Sequence, residues 1–277
     1  MAAASLGLLI AEAEALSPGL VRRTFADRIK SVAPFFLGLT AFIWICIDID
    51  LSPATFLSGF SKLGDFLGNM FPPSSGGQLP RILNAILETF GMAFAGTFLG
   101  VVIAIPLGII GAKNIISFGP LHFLIRRVFD FFRGIPALVW ALVLVSAFGL
   151  GPFAGVVALA LADIPVLSKL YAEAIENVDR KPIEGLRAAG CGRFDVIRYG
   201  IMPQVTPIIL SQALYYLESN FRNAAILGVV GAGGIGFELE ERIRIFAFDE
   251  VSFIILLFMV AVACLDTVSG NLRRRLA

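Results

Sequence analysis

Ile82-Leu-Asn-Ala-Ile-Leu-Glu-Thr-Phe-Gly-Met-Ala-Phe-Ala-Gly-Thr-Phe-Leu-Gly-Val-Val-Ile-Ala-Ile-Pro-Leu-Gly-Ile-Ile110 holds a single ionisable side chain, Glu88. A hydrocarbon layer about 30 Å thick takes about 20 helical residues, so this run is long enough to cross a bilayer. Within lipid every backbone polar group must be paired inside the structure, and a helix does this locally. The rest of the chain reads the same way. Of 277 residues, 57% are apolar and 16% charged, against about 25% charged in soluble domains, and the mean hydropathy is +0.86. Further apolar stretches occupy Pro34–Leu51, Ile135–Phe148, Phe153–Leu170, Val205–Val230 and Val251–Gly270. The short stretch from Ile135 predicts a helix that begins earlier, near Leu121. Six crossings use roughly 120 residues and leave no room for a large soluble domain. The fold class expected is an all-α polytopic membrane protein with about six transmembrane helices, or five if Pro34–Leu51 lies in the interface.

Net charge is +1, so the message lies in the distribution of charge rather than its sum. With the N-terminus in the cytoplasm, all of the 22 lysines and arginines except Lys62, Arg81, Arg222, Arg242 and Arg244 fall in cytoplasmic segments. The positive-inside rule then places both termini in the cytoplasm. External segments are 52–80, a Pro/Gly/Ser loop with room for a short helix, and 238–250, rich in Glu and Asp. Residues 1–20 lack the basic start and apolar centre of a signal peptide, so they are expected to be retained. For Ser5–Leu16 two readings stand, an amphipathic surface helix and a poorly ordered tail. Cys46, Cys191 and Cys264 are widely spaced and form no metal-ligand pair, so free thiols are expected.

The connection 173–203 is too long and too charged for a tight turn. Pro182 suits a first helical turn, Ile183-Glu184-Gly185-Leu186-Arg187-Ala188-Ala189 continues it, and Gly190 stops it. The small residues Ala188, Ala189 and Gly190, bordered by Glu184 and Arg187, give a low surface suited to insertion in a groove of another protein. A solvated hairpin is the other reading. Gly231-Ala-Gly233-Gly234-Ile-Gly236 matches G-x-G-x-x-G, but it follows an apolar helix instead of a strand, so no dinucleotide site is expected. A tight bend with close backbone approach, forming an external gate, and an ordinary helix-ending loop both fit these glycines.

Ionisable groups at membrane depth are costly and face protein or water. Asp163 lies beside Pro165 in the fourth stretch, and Asp266 near the end of the last. Glu218 and Arg222 stand four residues apart on one helix face, with Asn220 pointing elsewhere. Their readings are a structural ion pair and a pathway lined for an anion, Arg offering five donors to an oxyanion.

Two groups of residues carry a family resemblance. Glu184-Gly-Leu-Arg-Ala-Ala-Gly190 with Ile201-Met-Pro203 resembles the EAA loop of the membrane subunits of bacterial ATP-binding-cassette importers, with Gly185 where alanine is usual. Glu218 through Gly236, Arg133-Gly-Ile-Pro136, Val139-Trp-Ala-Leu142 and Gly149 through Gly155 resemble phosphonate importer permeases, and the likeness extends over roughly residues 80–270. It implies a type I, methionine-importer-like core at 81–272 built on five of the helices, preceded by a cytoplasmic segment 1–33, a helix 34–51 and an external loop 52–80, and followed by a basic tail 273–277. It implies that Glu184, Gly185, Arg187, Ala188, Ala189, Gly190 and Pro203 serve the coupling helix. Asp163, Glu218, Asn220, Arg222, Gly231, Gly233, Gly234 and Gly236 are candidates for the pathway and gate.

The implied complex has a second copy of the chain, two ATPase subunits and an external solute-binding protein, in the bacterial cytoplasmic membrane, with no nucleic acid. The implied function is ATP-driven uptake of a phosphonate or phosphite-like oxyanion by alternating access. The sequence has no Gly-x-x-x-x-Gly-Lys-Ser/Thr loop, so the chain itself is expected to bind no cofactor and to be no enzyme. ATP and Mg belong to the partner ATPase. The alternatives are a permease of the same type for another small solute such as an amino acid and, more distantly, an ion-coupled secondary transporter using Asp163 or Glu88. An integral-membrane enzyme is poorly supplied, since His122 is the only histidine.

Overall fold

The computed structural model describes residues 25–49, 53–115 and 119–276, and the alternatives for Ser5–Leu16 lie outside them. Every regular element among the described residues is helical. The chain divides into two compact units at Gly68. The first contains α1 (Phe25–Asp48) and nearly all of α2 (Pro53–Asn69). The apolar part of α1, Val32–Asp48, is at the short end of what crosses a bilayer. Phe35, Phe36, Trp44 and Ile47 are exposed on it. The segment 52–80, expected as a loop with a short helix, holds a helix over Pro53–Asn69, which Pro53 opens and which ends before Pro72 and Pro73.

The second unit is a helical bundle. Its elements are α3 (Leu79–Gly111), α4 (Gly119–Arg133), α5 (Ala137–Phe148), α6 (Pro152–Glu176), α7 (Arg180–Ala188), α8 (Arg193–Asp195), α9 (Met202–Leu227), α10 (Gly234–Arg244) and α11 (Phe248–Leu276). π-helical turns Val196–Ile201 and Gly228–Ala232 lie on either side of α9. By length and composition α3, α6 and α11 are each able to span a membrane, and the α4–α5 pair adds a fourth if counted as one broken span. At 26 residues, or about 39 Å, α9 is also long enough. Its polar run Glu218-Ser-Asn-Phe-Arg-Asn223 keeps it less apolar than the others.

The continuous helix expected from Leu121 is not formed. α4 and α5 meet at 78° across Gly134-Ile135-Pro136. Pro136 is extended, with ψ 150°, and lacks the donor that would continue the helix. A residue preceding proline is itself driven out of the helical region. Two bonds brace the bend's long arm: Lys169 Nζ donates to Asp130 Oδ1 at 2.7 Å and Arg126 Nη2 to Glu176 Oε1 at 2.9 Å.

The central seam joins α3 to α6, which run parallel. A Cβ on Gly96 would lie 2.8 Å from Leu159 Cβ, one on Gly100 3.1 Å from Asp163 Cβ, and one on Gly108 2.7 Å from Tyr171 Cβ. The same offset recurs at all three levels, so small residues on one face of α3 receive successive α6 side chains. Without a hydrophobic drive between helices in lipid, close approach and dispersion supply the attraction.

Candidate functional site

α7 is built by local chemistry at both ends. Asp179 accepts a hydrogen bond from the Lys181 N–H at 3.1 Å, capping the first turn. Gly190 has φ +81°, the Cys191 N–H reaches Leu186 O at 3.1 Å, and the Gly190 N–H reaches Arg187 O at 3.0 Å. This pair of bonds is a Schellman closure, which needs a left-handed residue at Gly190. The helix stop predicted there is present. Ile183 is buried, and with Leu186 it leans on Gly200, where a Cβ would come within 3.0 Å of Leu186 Cδ1. Glu184, Gly185, Arg187, Ala188, Ala189 and Gly190 are all exposed. The helix therefore keeps one face in the bundle and offers the other.

Gln204 ties this helix to α9. Its Nε2 donates to Gly200 O at 2.7 Å and to Asp179 O at 3.3 Å, while its Oε1 accepts from the Asp179 N–H at 3.0 Å. Pro203, exposed beside it, opens α9. Sequence reasoning opened the helix on Pro182 and missed the Asp179 cap, although an Asp just before a helical run is a cap signal. Gln204 gave no signal, since its partners are a carbonyl one turn back and a residue 25 positions away. Replacing Gln204 by Ala removes three bonds of about 1 kcal/mol each at most. The expected outcome is a protein that still folds but melts at a lower temperature, checked by the thermal unfolding midpoint of detergent-purified protein.

At mid-bundle the structure joins Asn220 to Asp163. The Asn220 Nδ2 group donates to Asp163 Oδ2 in a short contact and to Thr97 Oγ1 at 2.9 Å. All three residues are buried, and they belong to α9, α6 and α3. Sequence reasoning named Asp163 and Asn220 separately and missed Thr97.

Glu218 and Arg222 share a helix face, yet their 3.8 Å contact is the weakest in its group. Glu218 Oε2 instead accepts from Arg273 Nη2 at 2.8 Å, and Arg222 Nη1 lies 3.3 Å from Asp266 Oδ1. Four charges from α9 and α11 thus balance one another, with Arg222 still 44% exposed. Sequence spacing predicts only the weakest member of the set.

The glycine run makes a sharp turn. Gly231, Gly233 and Gly234 have φ of +98°, +87° and +69°. A Cβ on Gly236 would lie 1.8 Å from Ala225 O, and one on Gly228 2.5 Å from Gly233 O, so α9 and α10 meet backbone to backbone. The Ile235 N–H donates to Thr89 Oγ1 at 2.8 Å, and the Gly151 N–H to Gly231 O at 3.0 Å, anchoring the turn to α3 and to the connection before α6. Beyond it, the acidic cluster is largely neutralised: buried Arg242 pairs with Glu238 and lies 3.2 Å from Glu250 Oε2, and Arg81 bridges Glu238 at 2.9 Å and Glu241 at 2.7 Å. The cysteines are free, as expected. Among the described residues, no group of His, Cys, Asp and Glu is placed to hold a metal.

The described residues form a helical membrane bundle with a short, capped helix in one inter-helix loop. The chain belongs to the family described as binding-protein-dependent transport system inner membrane component, which it matches over residues 104–277. It is a permease subunit of the ATP-binding-cassette importer class. A phosphite transport system permease protein of Stutzerimonas stutzeri is 37% identical over 225 residues, covering 81% of each chain. A second protein of that organism, a putative phosphite transport system permease, is 34% identical over 91% of this chain and 89% of its own. A phosphate-import permease of Mycolicibacterium smegmatis is 35% identical over 80% of this chain and 42% of its own. The bundle is similar to a chain of the inward-facing MetNI methionine transporter, with TM-score 0.65 and 22% identity, over 74% of this chain and all of that one. That likeness concerns the fold.

Proposed function

We propose that this permease moves phosphonate or a phosphite-like oxyanion inward across the bacterial cytoplasmic membrane, as one of two copies in a complex with two ATPase subunits and an external binding protein. The reading rests above all on the identity to phosphite permeases over four fifths of the chain and more. ATP and Mg are taken to be bound by the ATPase subunits. The exposed face of α7, with Glu184, Gly185, Arg187, Ala188, Ala189 and Gly190, enters a cleft of the ATPase, and Pro203 fixes where α9 departs from it. Both termini face the cytoplasm, and residues 52–80 and 231–250 meet the binding protein.

Closure of the ATPase pair shifts the permease between two states only if its contacts with α7 differ between them. Gly231, Gly233, Gly234 and Gly236 form the outer turn that serves as gate. Arg222, with Glu218 beside it, gives the passing anion a transient contact, because its charge is already shared with carboxylates and does not trap cargo. Asp163 and Asn220, buried against each other, brace the helices behind this passage.

The test is the complex reconstituted in liposomes with its binding protein, and with the native cysteines replaced. Phosphite or methylphosphonate is expected to stimulate ATP hydrolysis several-fold, Arg222→Ala to slow uptake, and Cys at Ala188 or Ala189 to crosslink to the ATPase. Stimulation by methionine and by no phosphorus oxyanion would overturn the substrate and leave the family standing. An assembled complex without crosslink would remove the docking role of α7.

A further inference from the structure

An apolar groove of about 440 Å³ runs along the second unit between α3, α9 and the end of α11. Phe98 and Val101 of α3, Leu210, Leu214 and Leu217 of α9, and Arg275 near the end of α11 line it. On α9 these residues recur at the spacing of one helical stripe, so the groove follows the helix. No acidic residue lines it. Neither Arg274 nor Arg275 has a carboxylate partner among the described residues, whereas the adjacent Arg273 is held by Glu218. An apolar trough lined also by an arginine without a carboxylate partner offers what the two halves of a lipid need: a bed for hydrocarbon and a cation for phosphate.

We propose that this groove binds one acyl chain of an anionic phospholipid, with Arg275 on the headgroup phosphate. Its volume is on the order of one acyl chain. Charge complementarity chooses this occupant over a second copy of the permease. A self-association seam here would bury Arg275 with no acid from the groove to receive it, and an uncompensated buried charge costs several kcal/mol. A second apolar groove, between α5, α9, α10 and α11, is lined also by Arg222, whose charge is already met by Asp266. That surface is the better seam between copies. Basic residues at the cytoplasmic ends of helices, where the positive-inside rule puts α11's end, attract anionic lipid by about 1 kcal/mol each.

The proposal does not depend on which solute is carried, and its test needs no solute. The permease–ATPase complex in detergent is titrated with phosphatidylglycerol and with phosphatidylcholine of the same acyl chains, and bound lipid is counted by native mass spectrometry. Wild type is expected to prefer phosphatidylglycerol about fivefold, the ratio that about 1 kcal/mol gives. Arg275→Gln is expected to erase the preference while keeping residual binding of both lipids. Leu214→Trp, which fills the trough, is expected to weaken both. Equal binding of the two lipids by wild type overturns the proposal. So does loss of preference in Arg274→Gln as large as in Arg275→Gln, which would make the attraction a diffuse property of the basic tail. So too does full lipid binding by Leu214→Trp.

Discussion

Gly236→Ala is expected to prevent accumulation of a folded permease. The added Cβ would lie 1.8 Å from Ala225 O in α9 and 2.9 Å from Gly228 Cα in the π-helical turn after it, both backbone atoms, so no side chain can turn aside to admit it. Relief requires α10 to move off α9, which breaks the Ile235 N–H bond to Thr89 and the seat of the glycine turn on α3. Overpacking that side chains can absorb costs about 1–3 kcal/mol. Here the cost is expected to reach at least the upper end, a large part of the roughly 5–15 kcal/mol that holds a domain together. The measurement is the yield and the thermal unfolding midpoint of detergent-purified protein. Gly185→Ala is the matched control. Nothing lies within 4 Å of a Cβ at Gly185, and alanine gains up to about 1 kcal/mol of helix propensity, so α7 is expected to stiffen and the protein to purify normally. A Gly236→Ala protein that melts with wild type would refute the close packing of α9 on α10.

Asn220→Leu is expected to destabilise the bundle by about 3 kcal/mol, because the buried Asp163 carboxyl loses its donor and the Thr97 hydroxyl loses a partner. Replacing both members with apolar residues is far milder than orphaning one, so Asp163→Leu in the Asn220→Leu background is expected to recover much of the loss. The non-additivity of the pair, measured as a double-mutant cycle on unfolding, is the signature of a direct contact. Additive effects would mean that the two residues act separately. Three helices meet at this point, so the same variant is also expected to loosen α3 from α9.

What the residues disclose depends on the distance over which their physics acts. The end of α7 was legible because a left-handed stop is decided within a turn of chain, by Gly190, while the equally local cap at Asp179 was missed. Its apolar and offered faces were also legible, since Ile183 and Leu186 differ in kind from Glu184 and Arg187. The break between α4 and α5 had a visible cause in Pro136, yet the need for a long enough span outweighed it in reading the sequence. The partner of Glu218 was not legible. Arg222 sits at the favoured helical spacing, but Arg273, 55 positions away, makes the closer bond.

By itself, then, the sequence determined that this is a helical membrane protein, which of its ends carry positive charge, and where its short helix α7 stops. These follow from apolar length, charge count and capping chemistry, all of them local. Only the tertiary structure decided that Asp163 meets Asn220, that Arg81 reaches across 157 positions to Glu238, and that Gly96, Gly100 and Gly108 share one seam with α6. Those choices depend on the axial register between packed helices. A shift of one turn, about 5.4 Å, would exchange every partner while leaving each helix's own sequence pattern satisfied.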